Sequence, residues 1–215
     1  MSQAKVLTAR LWIFGILNTL KLKHIMSNLV TCIGDSLTQF GIRNKGWISL
    51  LNSYYERQLQ FLCFGYSGYN TKWIFEHLKT ILPFRTNYYI IWLGTNDCCT
   101  DTIQHVSKEE YRSNMKAIIN HISLYSPGTK IFVISPIPTV RPERQDARQY
   151  FESLSDLPKD IIYVNLFDYE WNDEDYCDQL HLSDKGNYKI SEILKKVLGA
   201  RIQIDRKLPD WKELN

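Results

Sequence analysis

Five residues spread along the chain have the side chains or backbone groups that acyl transfer from an ester requires: Ser36, Gly68, Asn96, Asp178 and His181. A serine hydroxyl is a poor nucleophile until a base takes its proton during attack. Histidine does this near neutral pH, provided a carboxylate fixes its tautomer and stabilises the imidazolium. Asp178 stands three residues before His181. At that spacing a tight turn brings the carboxylate to one ring nitrogen and leaves the other to face Ser36. The tetrahedral oxyanion then needs donors, each lowering the barrier by about 3–4 kcal/mol when well placed. The backbone N–H groups of Ser36 and Gly68 and the side-chain amide of Asn96 are three suitable donors. Gly68 has no side chain, so its N–H can approach the oxygen closely.

These residues are far apart in sequence, and something must gather them. Short apolar runs rich in β-branched and aromatic residues occur at 29–33 (LVTCI), 61–64 (FLCF), 88–93 (YYIIWL), 131–135 (IFVIS) and 161–167 (IIYVNLF). Each reads as a strand buried on both faces. Helical spacing fills the gaps: Trp47, Leu50, Leu51 and Tyr54 within 47–58, then Trp73, Ile74, His77, Leu78, Ile81 and Leu82 within 71–82. A capping box, Ser107 with Glu110, opens a third helix over 107–124 through Met115, Ile118, Ile119 and Ile122. A last helix begins near Ser183 and carries Tyr188, Ile190, Ile193, Leu194 and Leu198. The alternation predicts an α/β fold around a mostly parallel sheet.

In such a sheet all carboxyl ends of the strands share one edge, and ligands bind beyond it. The first three runs end in Gly34-Asp35-Ser36, Gly65-Tyr66-Ser67-Gly68 and Gly94-Thr95-Asn96-Asp97. After the fifth comes Asp178-Gln179-Leu180-His181. The fold therefore puts a hydroxyl, a glycine N–H, a carboxamide and an Asp–His pair on one rim.

Four blocks in this order, GDSLTQFG at 34–41, SGYN at 67–70, GTND at 94–97 and DQLHLS at 178–183, resemble the GDSL or SGNH hydrolases. The resemblance extends to the isoamyl-acetate-hydrolysing esterase branch through Gly68 to Trp73, Gly46-Trp47 and Trp211 to Glu213, and it covers roughly residues 28 to 213. It implies a three-layer α/β/α sandwich with a five-stranded sheet, Ser36 as nucleophile, His181 as base, Asp178 as its orienting acid, and an oxyanion hole from Ser36, Gly68 and Asn96. Two features depart from the family pattern. Cys63 stands where the second block often has asparagine, and the connection from Pro136 to Lys159 is short, so acyl-chain and alcohol preference do not transfer.

Other polar residues read as structural. Asp35 and Asp97 are expected to make local hydrogen bonds, and Asp173, Glu174 and Asp175 to form a solvated loop, with a triad acid among them a secondary reading. His77 is expected on a core or boundary face, Cys98-Cys99 as pocket lining, and Arg141, Arg144 and Arg148 as wet surface, or else as contacts for an anionic substrate.

The 215 residues, 44% hydrophobic, suit one domain and exclude general disorder or a disulfide miniprotein. Net charge is +3, but Lys5, Arg10, Lys21 and Lys23 all precede the first acidic residue, Asp35. Without those four the remainder carries 22 basic and 23 acidic residues, so nothing points to nucleic acid. Residues 1–25 form a basic, apolar leader ahead of a hydrolase domain at 26–215. Its LWIFGIL core is too short to span a bilayer. A cytoplasmic placement is favoured; mitochondrial or secretory targeting by the leader, and a start at Met26, are the alternatives. Five cysteines without a C-x-x-C pair signal neither zinc nor a disulfide framework. No cofactor or metal is expected, and the expected partner is a small ester. The expected activity is a serine ester hydrolase working through an acyl-enzyme. An acyltransferase with the same triad, a metallophosphoesterase and a non-catalytic ligand-binding relative are the rivals.

Overall fold

The five apolar runs become five strands: β1 Leu29–Gly34, β2 Gln60–Gly65, β3 Tyr88–Trp92, β4 Lys130–Ile134 and β5 Ile162–Val164. The computed structural model describes residues 29–82, 84–100, 102–158, 160–202, 204 and 207–213. The 1–25 leader and the Met26 start lie outside the described residues. Every strand pair is parallel, in the order β2-β1-β3-β4-β5. The chain steps outward from β1 to β2 and then returns to β3, so the order reverses beside β1. That reversal opens a crevice at the carboxyl end of β1, where Ser36 begins the next element.

Among the described residues six helices cover the sheet: α1 Ser36–Gly41, α2 Trp47–Tyr54, α3 Thr71–Ile81, α4 Lys108–Tyr125, α5 Ala147–Glu152 and α6 Asp184–Arg201. Alternate strand residues face opposite layers, as the period of two requires. Cys32, Ile90, Trp92 and Phe132 pack with Trp47, Ile48, Leu51 and Leu194 from α2 and α6. Ile33, Tyr89, Ile91 and Val133 pack with Ile74, Leu78, Tyr111 and Met115 from α3 and α4. The result is a three-layer α/β/α sandwich. Side-chain caps start α3, α4 and α6. Asn70 accepts from Trp73 N at 3.0 Å, Ser107 from Glu110 N at 3.2 Å and Ser183 from Gly186 N at 3.2 Å.

Four local expectations are corrected. β5 stops at Val164 instead of reaching 167, because the Asn165 side chain accepts from Phe167 N and bends Leu166–Asp168 into a 3-10 turn. On α2 the buried face is Trp47, Ile48 and Leu51, followed by Tyr55, and Tyr54 is exposed. The Trp47 indole sets this rotation by donating to the Leu37 carbonyl at 2.9 Å beneath α1. Tyr188 is also exposed, and its ring and that of Tyr54 flank the Lys195 ammonium at 5.9 and 4.6 Å. His77 is exposed rather than at the core boundary. The tail is held by Leu208 N on the Arg57 carbonyl and by Arg57 Nη1 on Asp210 at 2.8 Å. The Trp211 side chain lies outside what is described.

α1 lies directly on the end of β2. A Cβ on Gly65 would stand 2.1 Å from the Gln39 backbone nitrogen and 2.5 Å from its Cα, atoms that cannot swing aside. Gly199, exposed near the end of α6, has open space around it. In urea denaturation Gly65→Ala is expected to lose about 3 kcal/mol by overpacking. Gly199→Ala is expected to gain about 0.5 kcal/mol from helix propensity. A Gly65→Ala midpoint equal to the parent's would contradict the close seating of α1.

Candidate active site

β1 passes into α1 through Asp35, whose Oδ1 accepts from Leu37 N at 2.9 Å and caps the helix. Ser36, the first residue of α1, thereby stands at the sheet edge, and its Oγ lies 3.0 Å from His181 Nε2. His181 closes a turn built around the Asp178 carboxylate. Oδ1 accepts the backbone N–H groups of Leu180 at 3.1 Å and His181 at 2.7 Å, while Oδ2 lies 2.8 Å from His181 Nδ1. With Nδ1–H donating to Asp178, Nε2 carries the lone pair that accepts the Ser36 hydroxyl proton. Burial alone would raise the Asp178 carboxyl. The hydrogen bonds from the His181 ring and backbone and the Leu180 N–H outweigh it and hold the group down at about 2.

The other two expected residues meet beside this chain. The Asn96 amide donates one proton to the Tyr69 carbonyl at 2.9 Å, which leaves its second N–H free to face a ligand. Gly68 has φ +82°, a left-handed conformation that glycine takes without strain. Its carbonyl accepts from Gln104 Nε2 at 2.7 Å, and Asn70 Nδ2 donates to the Gln104 carbonyl at 2.8 Å. Gln39 on α1 accepts from Ser67 N at 2.6 Å and ties the serine's helix to the same loop. Gln39 and Gln104 were not singled out from the sequence, where a lone glutamine carries no signal. A cavity of about 320 Å³ borders His181 and Asp178, walled by Phe40, Arg43, Asn44 and Asn187.

A model of the GDSL-like lipase/acylhydrolase family matches residues 32–189. The chain belongs to that family. A GDSL esterase/lipase of Arabidopsis thaliana is 35% identical over 133 residues, covering 58% of this chain and 54% of its own, so the chain spans about half of that relative. The human isoamyl acetate-hydrolyzing esterase 1 homolog is 25% identical over 214 residues, covering 84% of this chain and 86% of its own. Among solved structures, an acetyl xylan esterase, AlAXEase, superposes with a TM-score of 0.70 at 16% identity, over 79% of this chain and 99% of its own, a likeness of fold. In reaction class this GDSL family member is a carboxylic-ester hydrolase.

Several residues of this GDSL hydrolase depart from their expected surroundings. Cys63, at the asparagine position of the family, donates its thiol to the Thr38 carbonyl of α1 at 3.3 Å. Cys98 and Cys99 are both buried behind the Asn96 turn, and burial raises the Cys98 thiol to about 12. Asp175 is not solvated but 1% exposed, held by Lys189 at 2.8 Å, whereas Glu174 stays exposed and pairs with Lys185. Arg144 is 6% exposed and far from a wet surface, while Arg148 is exposed and rests 4.7 Å from the Phe167 ring. Among the described residues no three His, Cys, Asp or Glu side chains gather as a metal site requires. No helix among them is long and apolar enough to cross a membrane.

Two buried acids, Asp35 and Asp97, adjoin Ser36 and Asn96 in sequence. Asp97 accepts from Thr71 N at 3.0 Å and Thr71 Oγ1 at 2.5 Å and so anchors the start of α3; burial raises its carboxyl to about 6 despite those bonds. Burial raises Asp35 to about 7, against the Leu37 N–H and with help from the Asp97 charge. An unfolded aspartate releases its proton near pH 4. Folded Asp35 keeps the proton up to about 7, so stability falls as pH rises through that window. Asp35→Asn retains the cap acceptor and cannot ionise. Relative to the parent it is expected to gain stability between pH 5 and pH 8 in urea titrations, while Asp97 preserves part of the parent's slope. Parallel pH–stability curves would overturn the assignment.

Proposed function

We propose that the protein hydrolyses small carboxylic esters, acetates among them, through an acyl-enzyme on Ser36. The observation that carries this reading is the unbroken chain from Ser36 Oγ through both nitrogens of His181 to Asp178, with contacts of 3.0 and 2.8 Å. In the proposed cycle His181 Nε2 takes the Ser36 proton as Oγ attacks the ester carbonyl, and Asp178 stabilises the imidazolium. The backbone N–H groups of Ser36 and Gly68 and the free N–H of Asn96 receive the oxyanion. His181 then returns the proton to the departing alcohol, which leaves on the imidazole side, where the cavity beside Phe40 and Arg43 lies. Water, deprotonated by the same imidazole, attacks the acyl-Ser36 and completes the turnover.

Two observations favour hydrolysis of small esters within this scheme. The side chains of His181 and Asp178 remain 29% and 46% exposed, so bulk water reaches the position from which an acyl-enzyme is attacked. The preference for acetates is carried over from the relatives named for isoamyl acetate hydrolysis.

Ser36→Ala is expected to abolish hydrolysis of p-nitrophenyl acetate with little change in stability, and a fluorophosphonate is expected to add its mass to the peptide bearing Ser36. Asn96→Ala is expected to lower kcat by about 100- to 1000-fold with little change in KM, since its bond to the oxygen strengthens in the transition state. A label elsewhere than Ser36 would exclude the mechanism.

A further inference from the structure

Asp178 orients His181 from a turn that is itself under strain. Gln179 has φ +67°, a left-handed conformation that costs a non-glycine residue about 1 kcal/mol and persists only where surrounding contacts enforce it. Both carbonyls flanking the strain are gripped by the short segment between β4 and α5. Thr139 Oγ1 donates to the Gln179 carbonyl at 2.6 Å, and Arg141 Nη2 donates to the Asp178 carbonyl at 2.5 Å. The same Arg141 nitrogen lies 3.7 Å from Asp178 Oδ2, the oxygen that faces the imidazole. Tyr176 adds a hydroxyl bond to the Pro138 carbonyl just ahead of the turn.

The far end of this segment is fixed at the other side of the site. Arg141 Nη1 lies 3.8 Å from Glu143 Oε1, which also holds Arg144 Nη1 at 2.6 Å. A cation as buried as Arg144 is tolerated only with its partners in place. Besides Glu143, it has the carbonyl of Thr95, the residue before Asn96, to which its Nε donates at 3.1 Å. The Glu143 backbone carbonyl accepts from Thr100 N at 3.1 Å, beyond the same turn. A continuous series of contacts thus runs from Asp178 through Arg141, Glu143 and Arg144 to the peptide next to Asn96. The guanidinium of Arg141 takes part in this series at both of its terminal nitrogens.

We propose that Arg141 is a positioning residue: it holds the strained Asp178 turn in register with the Asn96 turn, so that the Asp178 carboxylate keeps His181 aimed at Ser36. This rests on the triad reading above and adds to it a residue that touches no reacting atom.

The test is a double-mutant cycle on p-nitrophenyl acetate turnover with Arg141→Met, Asp178→Asn and both together. Arg141→Met is expected to lower kcat by about 30-fold, within the ~100-fold that a misplacement of 1 Å can cost, with KM nearly unchanged. Arg141→Lys should recover part of the loss. In the Asp178→Asn background the imidazole tautomer is already wrong, so adding Arg141→Met should lower kcat by no more than about twofold. Thr139→Val, which removes the other grip, should show a smaller loss with the same non-additivity, and serves if Arg141→Met folds poorly. As a readout independent of turnover, the downfield proton resonance of His181 Nδ1–H should broaden in Arg141→Met. An unchanged kcat and resonance, a loss that is fully additive with Asp178→Asn, or a loss confined to KM would overturn the proposal. Failure of the triad reading would register separately, as wild-type turnover that survives Ser36→Ala.

Discussion

A carboxylate at the rim of a protein can orient an imidazole only if its own backbone is held still, and the rest of the site depends on how Asp178 meets that condition. Its two oxygens divide the work: Oδ1 accepts two N–H groups of its own turn, and Oδ2 takes His181 Nδ1. The turn is thus folded around the acid that it presents. Three hydrogen bonds to the charged form, two from the backbone and one from the ring, also explain why the carboxyl stays low although burial pushes the other way. A neutral Asp178 would weaken the turn and the imidazole bond together, which makes local geometry and charge a single variable here.

The second constraint is distance along the chain. Ser36 and His181 are 145 residues apart, and their 3.0 Å contact requires α6 to pack back against the element after β1. The Asn187 side chain on α6 accepts from Trp47 N at 3.0 Å, and Trp47 in turn reaches the Leu37 carbonyl at 2.9 Å. The helix that follows His181 is therefore coupled to the helix that begins with Ser36 through one buried tryptophan. The Lys45–Asp184 pair adds little across the same gap, because both side chains are well exposed. Packing, rather than surface charge, sets the distance across which the proposed proton transfer runs.

The sequence made the sheet and the gathering of Ser36, Asn96 and His181 legible for one reason. Strands buried on both faces leave long apolar runs, and the residues just after them must share an edge. The side-chain environments were less legible. The rotation of α2 depends on where the Trp47 indole finds an acceptor, so Leu50 and Tyr54 fitted a helical face that the fold does not bury. The stop of β5 at Val164 depends on one asparagine bond. Asp175 and Arg144 looked like solvated charges because their partners, Lys189 and the Thr95 carbonyl, are 14 and 49 residues away. Local composition says nothing about such partners.

The short connection between β4 and β5 brings these points together. In this chain the 136–144 stretch lies along the rim, with Thr139 and Arg141 bonded to the Asp178 turn and Arg144 bonded beside Asn96. His181 and Asp178 stay partly exposed beside this stretch, and the charge of buried Arg144 is met by Glu143 from within it. One segment thus ties the two turns together. The proposed ester chemistry requires that the Asp178 and Asn96 turns keep their spacing, and this one segment is bonded to both.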